Sequence, residues 1–144
     1  MNFIPTKLDG CFVIEPKIFN DERGYFLESF NENTFQNGIG QQVHFVQDNQ
    51  SFSTKGVLRG LHYQTGDHAQ AKLVRVLQGE VLDVAVDIRP NSKTYGEHVS
   101  VLLSAEKQNQ FFIPRGFAHG FLVLSETAIF FYKCDNFYNK ESEG

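Results

Sequence analysis

The sequence predicts a small, mainly β protein, a sandwich or barrel of short strands in which the jelly roll is the favoured arrangement. Short apolar or alternating runs, separated by turn residues, follow one another along the 144 residues. The 15 Phe residues, against one Met and no Trp, favour an aromatic-lined β architecture over a helical bundle. Helix signals are confined to Asn31–Gln36, a stretch of a turn or two that begins at an Asn cap.

Several runs have the composition and alternation expected of strands. They are Gly24–Phe30, Val43–Ser53, Val57–Gln64, Lys72–Leu77, Val81–Asp87, His98–Leu103, Gln110–Ile113, Gly120–Leu124 and Ala128–Asp135. Turn signals lie between them, at Asn20-Asp21, Gln78-Gly79, Arg89–Ser92 and Pro114–Gly116. No repeat, linker or low-complexity segment interrupts the pattern, so we expect a single domain over residues 1–144.

The Gln78-Gly79 signal predicts a two-residue hairpin that joins Lys72–Leu77 to Val81–Asp87. In that register Lys72 and Asp83 share a face with apolar side chains and are diagonal neighbours, about 7–8 Å apart at the backbone. A charged pair on an apolar inner face costs free energy, so such a pair is expected mainly where it has a function. The hairpin therefore indicates a polar group inside the domain.

The same alternation places other potential ligand contacts on shared faces, Gln47 with Asn49 and Phe26 with Glu28. For any single pair, a solvent-facing surface is an equally good interpretation. Several such pairs on neighbouring strands favour a cavity lined with polar groups.

The composition narrows the class of partner and the compartment. A formal net charge of −4 argues, though weakly, against a nucleic acid or a membrane surface as the partner. Cys11 and Cys134 lie far apart without metal or redox spacing, and we interpret them as reduced core residues. The sequence shows no signal peptide and no run of membrane-spanning length, so we expect a soluble, cytoplasmic protein.

Two segments each set one histidine in a strand-forming run punctuated by glycine, Arg59–Gln64 (RGLHYQ) and Ile113–Gly120 (IPRGFAHG). A metal-binding jelly roll usually supplies His-x-His, a later Glu and a distant His to a divalent metal. Here Gln64 replaces the second histidine and Lys72 falls where the glutamate would follow, while His119 remains. Because an ammonium group repels a metal ion, we expect no metal cofactor and acid–base chemistry by the imidazole itself.

A more specific pattern is spread over the whole chain. Its segments are Asp21–Glu28, Val46–Ser51, Arg59–Gln64, Lys72, Gly79–Arg89, Ile113–Phe121 and Tyr132–Gly144. Together they resemble the dTDP-4-dehydrorhamnose 3,5-epimerase family of the cupin superfamily, from about Gly10 to the last residue. The resemblance implies a cupin-type jelly roll, a homodimer, and an enzyme without metal or other cofactor that acts on a dTDP-4-keto-6-deoxy sugar.

That activity requires proton transfer at carbons next to a ketone. Inversion needs a base on one face of the sugar, an acid on the other, and a group that stabilises the enolate oxygen. The resemblance assigns these roles to His62, Tyr132 and Lys72 respectively, with Asp83 expected to orient Lys72. An imidazole suits proton abstraction near pH 7. Taken singly, His62 and Tyr132 would be ordinary core residues, and the complete motif favours the catalytic interpretation.

The resemblance also implies which side chains bind the nucleotide sugar. Arg23 and Arg59 are expected to contact the diphosphate, since guanidinium groups bind phosphate oxygens in pairs. Phe26 is expected to stack on the thymine. The other expected contacts are Glu28, Gln47, Asn49, Lys72, His119, Tyr138 and Glu143. A solvated Arg23, and a His119 that is only left over from a metal triad, remain alternatives.

Members of the family continue for a few dozen residues past the position that matches Gly144. That segment supplies an aspartate that pairs with the catalytic histidine and a lysine near the phosphates. We expect the domain to lack this C-terminal segment, either because the chain is shortened or because the protein is naturally short. In the second case His62 must find another partner, or the activity is weak.

The sequence therefore predicts an isomerase that inverts C3 and C5 of dTDP-4-dehydro-6-deoxy-D-glucose on the route to dTDP-L-rhamnose. Three alternatives share many of its residues. They are a 4-keto-sugar epimerase or ketoisomerase acting at one carbon, a metal-dependent cupin oxygenase, and a non-catalytic nucleotide-sugar-binding cupin. Solvent deuterium incorporation and bound metal distinguish them.

Overall fold

The structure, a computed structural model, describes residues 1–144 and contains twelve strands and one α-helix. The helix, α1, spans Glu32–Ile39. The strands are β1 (Asn2–Pro5), β2 (Phe12–Glu15), β3 (Phe19–Asp21), β4 (Gly24–Phe26), β5 (Gln47–Thr54), β6 (Leu58–His62), β7 (Lys72–Gln78), β8 (Glu80–Asp87), β9 (His98–Ser104), β10 (Gln110–Ile113), β11 (Phe117–Val123) and β12 (Thr127–Cys134). With eight residues, α1 is too short to cross a membrane, and the structure contains no helix that could.

Two antiparallel sheets make up most of the molecule. One has six strands in the order β1-β2-β10-β7-β12-β5, and the other has four in the order β6-β11-β8-β9. Strands β3 and β4 form a separate two-stranded hairpin. The prediction of a mainly β, cupin-type jelly roll is confirmed.

The main hydrophobic core lies between the two sheets. Val74 and Phe130 of the larger sheet face Ala85 and Phe121 of the smaller one, and none of these side chains is more than 5% exposed. The rings of Phe121 and Phe130 stack with their centroids 4.0 Å apart. Burying a side chain of this size stabilises the fold by roughly 1.5–3 kcal/mol. This stack therefore helps to set the spacing of the two sheets.

A second core lies on the outer face of the six-stranded sheet, where α1 packs. Phe35 of α1 is 1% exposed, and its ring centroid lies 5.2 Å from that of Phe112 and 5.5 Å from that of Phe45. Leu73, which points away from the main core, belongs to the same cluster. The helix thus covers one side of a sheet whose other side faces the main core.

The boundaries of α1 follow from its capping residues. The side chain of Asn31 accepts a hydrogen bond from the Thr34 backbone N–H at 3.1 Å, and Gly40 ends the helix with a positive φ of 69°. The predicted Asn cap is confirmed. The helix extends to Ile39, one turn beyond the predicted end at Gln36.

The predicted hairpin at Gln78-Gly79 is wrong. Strand β7 pairs with β10 and β12, whereas β8 pairs with β9 and β11 in the other sheet. Gly79 alone separates the two strands with a φ of +86°, and a Cβ at this position would collide with the carbonyl oxygen of Thr127. The alternation did identify the inward faces, because Val74 and Ala85 are both fully buried. It could not identify the strand partners.

Other differences concern the N-terminal half of the chain. The sequence does not predict β1, β2 or β3, which are only three or four residues long. Strand β4 ends at Phe26 instead of Phe30, and β5 begins at Gln47 instead of Val43. Phe30 and Val43 pack in the cluster around α1. Their apolar character therefore reflects contact with a helix and not strand pairing.

Candidate active site

Two adjoining cavities, both open to solvent, lie beside the first residues of β7. Both are lined by Asn49, His62, Lys72 and Tyr132. The remaining lining residues are Tyr63, Gln64, Gln70, Tyr138 and Glu143 in the first cavity, and Gln50, Ser51, Arg59, His119, Gly120 and Phe121 in the second. The structure thus brings most of the expected site residues to one place.

Strands of both sheets position the three expected catalytic residues. His62 ends β6 and lies opposite His119 of β11. Lys72 begins β7, and Tyr132 of β12 lies opposite Asn49 of β5. His62 therefore belongs to the four-stranded sheet, while Lys72 and Tyr132 belong to the six-stranded sheet.

Close approach of β6 and β11 brings the two histidines together. A Cβ at Gly60 would lie 2.7 Å from the Cα of Gly120, and a Cβ at Gly120 would lie 2.7 Å from the carbonyl oxygen of Arg59. Real side chains do not tolerate such contacts. The glycines next to the histidines in both sequence motifs are therefore needed for this packing.

The ammonium group of Lys72 forms no salt bridge in the structure. Its Nζ lies 5.3 Å from the centroid of the Tyr132 ring. Burial lowers the pKa of Lys72, and the negative charges of Asp83 and Glu143 offset part of this effect. A partly desolvated cation is stabilised when an anion forms beside it.

A buried pair of ionisable groups joins the cavity wall to the core, with His119 in the lining and Asp83 behind it. Asp83 is completely buried, and its Oδ2 lies 2.8 Å from Nε2 of His119, which is 5% exposed. Burial raises the pKa of Asp83, against the opposing effects of His119 and Lys72. The other oxygen, Oδ1, has no hydrogen-bond partner. Asp83 was expected to orient Lys72, but its hydrogen bond goes to His119, and it acts on Lys72 only through its charge.

Tyr132 presents a protonated phenol to the cavity. Burial raises the pKa of Tyr132, and the polar side chain of Asn49 beside it partly opposes the rise. Asn49 in turn accepts a hydrogen bond from Gln47 Nε2 at 3.1 Å. The predicted pairing of Gln47 and Asn49 on one face is confirmed by this bond. Gln47 lies just behind the residues that line the cavities.

A fixed guanidinium group lies at the rim of the second cavity. Arg59 donates from Nε to Ser53 Oγ at 2.7 Å and from Nη2 to the carbonyl oxygen of Phe52 at 3.3 Å. It has no carboxylate partner in the structure. Its positive charge is therefore available to an anionic ligand.

The C-terminal residues close the opposite rim. Oε1 of Glu143 lies 3.6 Å from Nδ1 of His62. The hydroxyl of Tyr138 donates a hydrogen bond to Oε2 of Glu143, and this bond raises the pKa of Tyr138. Both residues thus lie beside the imidazole of His62.

Besides Gln47, three expected binding residues lie outside the cavities. Arg23 is exposed and paired with Asp21 at 2.9 Å, and Phe26 is 69% exposed. Arg23 lies between the two strands of the β3–β4 hairpin and Phe26 ends β4, while Glu28 follows shortly after it and is also exposed. The structure of one chain does not bring these side chains to the residues that line the cavities.

Tyr63, Gln64 and Gln70 line the first cavity, although the sequence does not predict them as site residues. A signal existed for Gln64, since it follows His62 by two residues and alternation predicts a shared face. Gln70 Nε2 donates to the carbonyl oxygen of Asn136 at 2.9 Å, a contact that depends on the folded chain. No group of three or more His, Cys, Asp or Glu side chains lies close enough to hold a metal ion.

Comparison with known proteins gives a consistent result. A family profile described as dTDP-4-dehydrorhamnose 3,5-epimerase matches residues 5–144. The dTDP-4-dehydrorhamnose 3,5-epimerase of Shigella flexneri is 59% identical over 143 residues, which cover 99% of this chain and 79% of that protein. The corresponding enzyme of Methanothermobacter thermautotrophicus is 58% identical over 139 residues, which cover 96% of this chain and 74% of that protein.

Solved structures agree with the sequence comparisons. The dTDP-4-dehydrorhamnose 3,5-epimerase of Elizabethkingia anophelis is 62% identical with a TM-score of 0.96, covering 100% of this chain and 79% of that one. A 3,5-epimerase of Legionella pneumophila, solved in complex with dTDP-4-keto-L-rhamnose, is 57% identical with a TM-score of 0.95, covering 99% and 75%. ChmJ, a 3'-monoepimerase of Streptomyces bikiniensis, is 33% identical with a TM-score of 0.91, covering 97% and 71%. The chain is therefore an isomerase that belongs to the dTDP-4-dehydrorhamnose 3,5-epimerase family.

Proposed function

We propose that the chain inverts C3 and C5 of dTDP-4-dehydro-6-deoxy-D-glucose, giving dTDP-4-dehydro-L-rhamnose, by proton transfer through an enolate. The observation that carries the proposal is the shared lining of the two cavities by His62, Lys72 and Tyr132. A base, a cation and a protonated phenol around one space are the groups that inversion next to a ketone requires. The reaction as proposed needs no metal.

In the first step His62 removes the proton from C3 or C5. The electron pair of the broken C–H bond moves into the C3–C4 or C4–C5 bond, and the C4 carbonyl oxygen becomes the enolate oxygen. The imidazole is converted to an imidazolium ion, which returns its proton to solvent. A positioned general base of this kind contributes about 10²–10⁴-fold in rate.

Lys72 stabilises the enolate oxygen. Its ammonium group is partly desolvated and has no salt-bridge partner, so the developing anion supplies the counter-charge that the resting site lacks. The positive charge therefore costs free energy before the reaction and is compensated in the transition state. This difference between the two states is the condition for catalysis.

Tyr132 completes the inversion by donating its phenolic proton to the same carbon from the other side, as the enolate returns to the ketone. Solvent then reprotonates the phenolate before the second carbon reacts. Burial raises the pKa of Tyr132, which keeps the group protonated and able to donate. Tyr132 and His62 belong to opposing sheets. A sugar held between the sheets thus meets its acid and its base on different faces.

The remaining expected residues are proposed to bind the diphosphate, the nucleotide and the rest of the sugar. Arg59 binds the diphosphate, and Gln47, Asn49, His119 and Tyr138 contact the sugar or the nucleotide. Arg23, Phe26 and Glu28 lie on or beside the exposed β3–β4 hairpin, outside the cavities of their own chain. We infer that they reach the cavity of a second copy, which would make the functional unit a homodimer.

We also propose that residues 1–144 form one catalytic domain and that the protein acts in the cytoplasm. Cys11 and Cys134 are free and buried, as expected in a reducing compartment. Burial raises the pKa of the Cys11 thiol to about 12 and that of the Cys134 thiol to about 11. Both thiols are therefore protonated and unreactive, and neither takes part in the proposed chemistry.

Hydrogen exchange with solvent tests this proposal. In D₂O the chain should introduce deuterium at both C3 and C5 of the sugar, and His62→Ala should introduce none. Deuterium at one carbon only would identify a single-centre epimerase, which the 33% identity to a 3'-monoepimerase makes a real alternative. Ligand binding without any deuterium would identify a binding module. Activity that disappears with a chelator and returns with iron or manganese would contradict the metal-free mechanism.

A further inference from the structure

A buried hydroxyl group lies beside the guanidinium group of Arg59. Ser53 is 5% exposed, and its Oγ accepts a hydrogen bond from Nε of Arg59 at 2.7 Å. Strand pairing places Ser53 opposite Ala128, on the side of β5 that faces the main core. A polar side chain in such a position needs a hydrogen-bond partner. Arg59 supplies it, and no other side chain bonds to this hydroxyl.

The hydrogen bond between Ser53 and Arg59 joins the two sheets at the rim of the second cavity. Ser53 belongs to the six-stranded sheet and Arg59 to the four-stranded sheet. Arg59 lies opposite the core residue Phe121, and residues paired in this way point to the same side. The connection between β5 and β6 is itself fixed, because the Gly56 N–H donates to the carbonyl oxygen of Val123 at 3.0 Å. Backbone pairing therefore holds the hydroxyl and the guanidinium group next to each other.

This bond helps to select which edge of the guanidinium group can meet a ligand. Of the five N–H groups of an arginine, Nε donates to Ser53, and one N–H of Nη2 donates to the carbonyl oxygen of Phe52 at 3.3 Å. Both N–H groups of Nη1 and one of Nη2 remain. These two nitrogens form an outer edge that can donate in parallel to two oxygens of a phosphate group. Arg59 lines the second cavity and has no carboxylate partner, so the outer edge is open to an anionic ligand.

The Ser53 hydroxyl is the stronger of the two attachments. Its contact with Nε is short and charge-assisted, whereas the contact of Nη2 with the Phe52 carbonyl is longer than a typical N–H···O bond. Arg59 is otherwise an exposed residue with a long side chain. Affinity is lost when such a side chain must be ordered as the ligand binds. An arginine that is already held in place avoids this loss.

We propose that Ser53 is a positioning residue for diphosphate binding. Its hydroxyl holds Arg59 with the outer edge of the guanidinium group towards the cavity before the nucleotide sugar binds. Ser53 does not line either cavity, so it acts through Arg59 and not on the substrate. The inference rests on the proposed function for the role of Arg59, and it extends the site to a buried residue that the sequence does not predict.

Ser53→Ala tests the inference, because it removes the hydroxyl and changes little else. In calorimetric titrations with dTDP at fixed ionic strength, Kd should rise about 3- to 10-fold, the loss expected when one long side chain is ordered only on binding. KM for the dTDP-sugar should rise by a similar factor while kcat changes by less than about two-fold, because the groups proposed to transfer protons are untouched. Thr54→Val is the matched control. Thr54 is exposed and points to the other face of β5, so its loss of a hydroxyl should change neither Kd nor KM.

A double-mutant cycle with Arg59 makes the result specific. Arg59→Ala should weaken dTDP binding roughly 10- to 100-fold, the usual effect of losing hydrogen bonds to a charged group. Adding Ser53→Ala to Arg59→Ala should cause no further loss of affinity, because no guanidinium group is left to hold. A role of Ser53 that is only structural would instead lower the affinity by the same factor in both backgrounds.

The outcomes separate this inference from the proposed function. The inference is overturned if Ser53→Ala binds dTDP as the unmodified chain does, if it loses equal affinity with and without Arg59, or if it lowers kcat at an unchanged KM. None of these results affects deuterium exchange by the unmodified chain, which tests the reaction. Conversely, dTDP binding that depends jointly on Ser53 and Arg59 supports the inference, and the absence of any deuterium in the sugar would then overturn the reaction alone.

Discussion

Replacing Lys72 with methionine is expected to make the folded protein more stable and nearly inactive. The ammonium group is partly buried, has no salt bridge and lies over the ring of Tyr132. Methionine has a similar length, carries no charge and packs well against an aromatic ring. The substitution therefore removes a desolvation cost without leaving a large cavity.

The magnitude follows from the direction of the pKa shift. Burial holds the pKa of Lys72 below its ordinary value even after the opposing charges are included, so the protonated lysine destabilises the folded state. This cost is fully present at pH values below the folded-state pKa, and it disappears as the pH rises above the ordinary value of about 10.4. Removing one poorly compensated charge should stabilise the protein by about 1 kcal/mol at pH 7, which raises Tm by about 3–4 °C.

Thermal unfolding followed by circular dichroism at pH 7 and near pH 10.5 measures this effect, and deuterium exchange measures activity. Activity of Lys72→Met should fall about 10²–10³-fold, the usual cost of losing an oxyanion partner. Lys107→Met, at an exposed position, is the matched control and should change neither quantity. A Tm below that of the unmodified protein at pH 7, or a gain that persists at alkaline pH, would refute the reasoning.

Three further changes test other parts of the structure, each by chemical denaturation. Gly79→Ala should cost at least about 2 kcal/mol, because its φ is positive and a Cβ would collide with β12; a loss below about 0.5 kcal/mol would contradict the account of the sheet crossing. Phe35→Ala should cost about 3–5 kcal/mol but leave exchange activity in the folded fraction, and selective loss of activity would oppose this. Burial raises the pKa of Asp87, yet hydrogen bonds from Arg89 and two hydroxyl groups outweigh it and hold the pKa well below its ordinary value. The stability that Asp87 contributes is therefore present above its unfolded-state pKa of about 3.9 and is lost as the pH falls below that value. Asp87→Asn should accordingly lower the free energy of unfolding by about 2–3 kcal/mol at pH 7 and by much less near pH 2. An equal loss at both pH values would contradict the assignment.

The fold class could be predicted because strand alternation is a local property. Alternation placed Val74 and Ala85 on inward faces, and both are fully buried. It failed for the connection at Gly79, since a glycine with positive φ suits both a hairpin turn and a crossing between sheets. It failed also for Phe30 and Val43, because an apolar run does not reveal whether its partner is a strand or a helix.

The candidate site could be predicted as far as its motifs are contiguous in the sequence. His62, Lys72 and Tyr132 were each marked by their own segment, and their roles stay predictions until exchange is measured. Contacts between segments that are distant in the sequence could not be predicted, because they depend on how the chain folds. Asp83 forms a hydrogen bond with His119, 36 positions away in the sequence. Glu143 approaches His62 only because the folded chain brings the two segments together. Lys72 was expected to be the partner of Asp83 because their charges are opposite and the predicted hairpin placed them side by side, and that hairpin does not form.

The stack of Phe121 on Phe130 has a consequence for how the pocket can change. It joins the two sheets that carry the imidazole of His62 and the phenol of Tyr132, so it acts as a spacer beneath the space proposed for the sugar. A smaller ring in that layer would let the walls settle closer together, and a larger one would push them apart. Either shift would move the imidazole of His62 and the phenol of Tyr132 relative to each other without replacing either residue. Adapting the pocket to a bulkier sugar would therefore require changes in the Phe121–Phe130 layer, which sets the distance between the two sheets.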